Sequence, residues 1–139
     1  METEALAQKL IEILEEAVPG AGKVVSVLSI VNFIEFLKQK VGLMIEEGII
    51  ASALLEKFTR IQAQNGVHIL CAKNIGMILI VAFILAMKMS RDVVFKNSYF
   101  ADAFGVSIQD LNRSESGFLR FLDHRLWVDE IFIFKEQDI

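Results

Sequence analysis

From Ile75 to Met87 the chain carries no polar side chain: Ile-Gly-Met-Ile-Leu-Ile-Val-Ala-Phe-Ile-Leu-Ala-Met. A helix built from it is apolar on every side, so it belongs either in a membrane or at the centre of a protein. Length decides between the two. At about 1.5 Å of rise per residue the run covers about 20 Å, short of the roughly 30 Å of bilayer hydrocarbon. Asn74 and Lys73 stop it on one side, Lys88, Arg91 and Asp92 on the other. The run is therefore expected to form a central helix jacketed by other helices of the same chain, with no membrane role.

The rest of the sequence has the means to build that jacket. A chain of 139 residues is long enough to enclose one central element, and a composition 54% apolar and 23% charged is that of a folded domain. The net charge of −4 comes without a basic block, so nucleic acid has no electrostatic footprint. The only cysteine, Cys71, excludes an internal disulfide framework and fits a reducing compartment. The acidic start, Met-Glu-Thr-Glu-Ala, does not read as a secretory signal, and the expected location is cytoplasmic or nuclear.

Leu6, Leu10, Ile13, Leu14 and Ala17 recur at helical spacing, and Val-Pro-Gly-Ala-Gly at 18–22 ends that amphipathic helix. Gly20-Ala-Gly-Lys23 has the look of a phosphate loop, but that motif needs a glycine at Ala17 and a hydroxyl at Val24. Residues 24–40 begin with β-branched residues that suit a strand, yet Leu28, Val31, Phe33, Ile34 and Leu37 continue unbroken to Gly42, a length that favours a helix. A further helix is expected over 44–64, with Ile45, Ile49, Ala53, Leu54, Phe58 and Ile61 on one side and Asn65-Gly66 turning the chain. After the central helix comes a short segment, 96–104, closed by Gly105 at a helix C-cap. Ser107 is placed as the N-cap of the next helix, whose stripe is Ile108, Leu111, Phe118, Leu119 and Leu122, with Glu115 inside it. Asp129 to Glu136 is read as a short last helix. No strand is expected, and the fold class is all-α.

Chemistry finds little support. His68 and Cys71 stand three apart, which on a helix would set them on one face, but no second pair completes a metal site, and the expectation is a buried thiol beside an ordinary histidine. No nucleophile motif accompanies His68 or His124, and the carboxylates in Asp-Leu-Asn-Arg-Ser-Glu at 110–115 suit a helix start. The chain is not expected to be an enzyme, nor to take a cofactor, a metal or a small-molecule substrate.

With the central helix placed, a longer pattern emerges. Asn74-Ile75 leads through the apolar run to Ala86-Met-Lys88-Met89; Asp92-Val-Val-Phe-Lys-Asn97-Ser-Tyr99-Phe100-Ala101 follows, then Gly105-Val-Ser107, Leu111-Asn112, Glu115-Ser-Gly-Phe118-Leu119 and Leu122-Asp-His-Arg-Leu126. This resembles the cyclin box and is most similar to the phosphate-pathway (P-type or U-type) cyclins, without gaps from residue 74 to 126. Upstream, Phe33-Ile34 and Leu54-Leu55-Glu56-Lys57-Phe58 carry a fainter likeness. The resemblance implies a single five-helix cyclin box over 23–128, an extra N-terminal helix and linker over 1–22, and a tail over 129–139. It also implies a regulatory subunit that binds a cyclin-dependent serine/threonine protein kinase and fixes the kinase's regulatory helix in its active position. The family's lysine and glutamate, which grip kinase backbone, fall on Lys88 and Glu115, with apolar contacts from Met89, Leu119 and Leu126. In the family a first-helix arginine pairs with a second-helix aspartate; here those positions are Phe36 and Glu56, so apolar packing around a buried Phe36 is expected to replace the ion pair. The competing reading is a helical scaffold or self-associating module that keeps the fold without a kinase.

Overall fold

The computed structural model describes residues 2–123. The expected last helix, His124 and Leu126 lie outside that range. Seven helices follow one another: α1 (Glu2–Ala17), α2 (Ala21–Val24), α3 (Val27–Val41), α4 (Ile45–Asn65), α5 (Ile75–Ser90), α6 (Asn97–Phe104) and α7 (Ile108–Phe121). There is no strand among the described residues.

The apolar run is α5, and it occupies the middle. Ile75, Ile78, Leu79 and every residue from Val81 to Met87 are buried. Its main neighbours are α4 and α7, while α1 lies against α3 and α4. Phenylalanines tie the layers together: Phe58 of α4 stacks on Phe118 of α7 at 4.9 Å between ring centroids, and Phe33 of α3 meets Phe83 of α5 edge-on at 5.2 Å. No helix among the described residues is long and apolar enough to cross a membrane.

The ambiguous stretch 24–40 is helical from Val27, for a local reason. Ser26 is an N-cap whose hydroxyl accepts the Ser29 N–H at 3.1 Å, and the β-branched Val25 stays extended just before it. The helix stops at Gly42, which takes a left-handed φ of 64°. Gly66 and Gly105 end α4 and α6 in the same way, with φ of 66° and 67°. Ser107 caps α7 by accepting the Asp110 N–H at 2.9 Å.

Three expectations need correction. The buried face of α4 is rotated from the expected stripe: Glu47, Gly48, Ala51, Ser52 and Leu55 are buried with Leu54 and Phe58, whereas Ile45, Ile49 and Ile61 are only half-buried. Cys71, expected to be buried, is exposed, as is His68, because residues 67–74 form a loop at the surface. Polar side chains fix that loop: Gln62 Oε1 accepts the N–H groups of Ile69 and Leu70, and Asn74 accepts from the Cys71 N–H while donating to the Ile69 carbonyl. Phe36 is half-buried, its ring lying 5.5 Å from that of Phe104.

The loop that has the look of a phosphate loop holds an anion of its own. Glu15 accepts the N–H groups of Gly20 at 2.6 Å and Gly22 at 2.8 Å. Those bonds, from Gly22 and then Gly20, with a smaller contribution from Lys23, hold its carboxyl below the ordinary value. The amides that would cradle a phosphate are already satisfied.

Candidate functional site

Three helices converge where α5 ends. Lys88 lies in its last turn, a position that suits a cation beside the helix C-terminus. Glu115 comes from the middle of α7, and Asn97 opens α6. A carboxylate inside an apolar stripe must reach water or find partners, and Glu115 finds two. Lys88 Nζ donates to its Oε2 at 2.8 Å, and Asn97 Nδ2 donates to its Oε1 at 3.1 Å. The second N–H of the Asn97 amide goes to Asn112 Oδ1 at 2.9 Å.

The pair stands at the boundary between core and solvent. The Lys88 side chain is 36% exposed and that of Glu115 is 15% exposed. Met89, next along, is exposed, and Leu119, one turn after Glu115, is half-buried against the core. Four of the five residues singled out from the sequence are thus brought to the α5 end and α7. The fifth, Leu126, lies beyond the described residues.

The charges leave spare capacity. An ammonium carries three donors and Lys88 commits one to Glu115; a carboxylate accepts at about four lone-pair sites, of which two are taken.

A second ion pair escaped the sequence reading. Arg91, the residue after α5, forms a fork with Glu47 of α4: Nε to Oε2 at 2.6 Å and an Nη to Oε1 at 2.7 Å. The guanidinium also donates to the Val41 and Gly42 carbonyls at 2.8 and 3.2 Å, satisfying acceptors that the end of α3 leaves open. Glu47 in turn accepts the Met44 N–H at 3.0 Å, which caps the start of α4. Burial pushes the Glu47 carboxyl up, but the Arg91 hydrogen bonds, the Met44 N–H and the Arg91 charge together outweigh it and hold the carboxyl below its ordinary value. The same pairing raises Arg91. The available signal was an arginine abutting a wholly apolar helix, with a glutamate three residues after a helix start. Among the described residues no group of three or more histidine, cysteine or carboxylate side chains is placed to hold a metal.

Neither the curated proteins nor the solved structures contain a match to this chain. A family model does match: that of the cyclins, over residues 21–126. That span takes in the short α2 and the five longer helices α3 to α7, with the buried α5 as the third of those five, and by it the chain belongs to the cyclin family.

Proposed function

We propose that this cyclin-family domain binds a cyclin-dependent serine/threonine protein kinase, in the manner of the phosphate-pathway cyclins, and holds the kinase's regulatory helix in its active position. The observation that carries the reading is the Lys88–Glu115 pair, joined at 2.8 Å at the edge of the core beside the exposed Met89. Lys88 supplies donors to a kinase carbonyl and Glu115 accepts a kinase N–H. Met89, Leu119 and Leu126 supply apolar contact around them. The domain does no chemistry itself; it is a regulatory subunit.

The test is binding to a panel of purified cyclin-dependent kinase subunits. Lys88→Ala and Glu115→Ala each weaken capture by at least tenfold, because removing one member of a desolvated charge pair costs on the order of 2 to 5 kcal/mol. The melting temperature moves little. One observation favours the scaffold reading instead: the pair closes on itself and joins α5 to α7 without any partner. On that reading the same variants lower the melting temperature, and no kinase of the panel binds.

A further inference from the structure

Asn97 makes a choice that packing alone does not explain. Both N–H groups of its amide point at α7, one at Asn112 and one at Glu115. Its Oδ1 is buried and has no hydrogen-bond partner among the described residues. The orientation is fixed by chemistry, since an ionised carboxylate only accepts and the opposite orientation would set two oxygens against each other. A buried acceptor left unsatisfied is a standing cost to the fold. The amide bears that cost and spends its donors on Glu115 and on the residue one turn before it.

We propose that Asn97 is a positioning residue for partner binding, a role that rests on the kinase-binding reading of Lys88 and Glu115. A glutamate has three side-chain rotors, and with Lys88 as its only partner the carboxylate would swing with the lysine. Held at Oε1 by Asn97 and at Oε2 by Lys88, it presents one arrangement of donors and acceptors before a partner arrives. Ordering that binding would otherwise have to impose is already in place. Asn112 serves the same end at one remove, since its carbonyl holds the other N–H of the Asn97 amide.

A double-mutant cycle tests the role, using the purified kinase subunit that binds the unmodified protein most tightly. Asn97→Ala is expected to weaken binding about five- to tenfold in the native background and not at all in the Glu115→Ala background, since there is then nothing to position. Asn97→Asp, which sets a second carboxylate beside Glu115, weakens it further. Asn112 is exposed, so Asn112→Ala is a variant with little risk to folding, and it gives a smaller loss, about two- to threefold, that also vanishes without Glu115. Equal losses in both backgrounds would show that Asn97 merely supports the fold and would overturn the positioning role while leaving the kinase reading intact. A Glu115→Ala protein that binds as tightly as the native one would reject the assignment of the interface to Lys88 and Glu115, and the positioning role with it.

Discussion

Glu47 and Arg91 are 44 positions apart in sequence and meet in a fork that joins the start of α4, the end of α3 and the end of α5. With its side chain 4% exposed, Glu47 has no recourse to water if the arginine is lost. Arg91→Ala should therefore cost about 3–5 kcal/mol of stability, the usual result of stranding a buried charge. Phe36→Ala should cost less, about 1.5–3 kcal/mol, because the ring is only half-buried and the full penalty belongs to buried phenylalanines. Denaturant unfolding of the two variants checks the ranking. The pH dependence follows from the lowered Glu47 carboxyl. A group depressed by folding stabilises fully above its unfolded value of 4.5 and loses that contribution as pH falls through the folded value. Below pH 4.5 the native protein should lose stability more steeply than Glu47→Gln, and coincident acid-unfolding curves for the two would contradict the assignment. The fork was not legible from the sequence: Arg91 beside the apolar run and Glu47 near a helix start are hints taken singly, and only the fold brings the two together. Lys88 and Glu115 were legible as a pair, through the cyclin resemblance. Their direct bond and the asparagine clamp were not, since side-chain geometry across three helices leaves no local signature.

At the scale of elements, α5 was legible in full: an all-round apolar run too short for a bilayer leaves only the centre of a helical domain. The loop before it was not legible, and Cys71 was expected to be buried, because the hydrogen bonds by which Gln62 and Asn74 fix residues 69–71 as an exposed loop come from side chains on either side of it. The first helix proves to be more than an appendage. Leu6, Ala7, Leu10, Ile11, Ile13 and Leu14 of α1 are buried in the same core as α5, and Lys38 of α3 donates to Thr3. The family match begins at Ala21, yet the core it describes is closed by residues before it. Deleting residues 1–18 should consequently abolish cooperative thermal unfolding; a truncated protein that melts as sharply as the full chain would show α1 to be dispensable. Gly48 of α4 faces Leu6 of α1, and an added Cβ there would run into the end of the Leu6 side chain. Gly48→Ala should destabilise by about 1–3 kcal/mol through overpacking, despite a gain of about 1 kcal/mol in helix propensity. Ala82, fully buried on α5, should respond to Ala82→Leu with a loss of the same order, about 1–3 kcal/mol. Calorimetry on both variants checks these values.

For the molecule as a whole, the buried α5 does two things at once. Its middle organises a core that α1, α4 and α7 enclose, and its last turn carries Lys88 and Met89 out to a surface where α6 and α7 bring Asn97 and Glu115. Core and candidate interface thus share one rigid element, so the geometry of the Lys88–Glu115 pair is set by packing rather than by a loop. This makes stability and partner binding separable by substitution. The ion pair sits at the rim, where its loss removes one partly exposed bond from the fold, worth at most about 1 kcal/mol, whereas a bound kinase would bury it. The most direct measurement is the dissociation constant of the native protein and of the Lys88→Ala, Glu115→Ala double variant for a purified cyclin-dependent kinase, taken alongside their melting temperatures. The account predicts a loss of affinity of at least a hundredfold with a melting temperature that moves by only a few degrees. A well-folded double variant that binds the kinase as tightly as the native chain would contradict it.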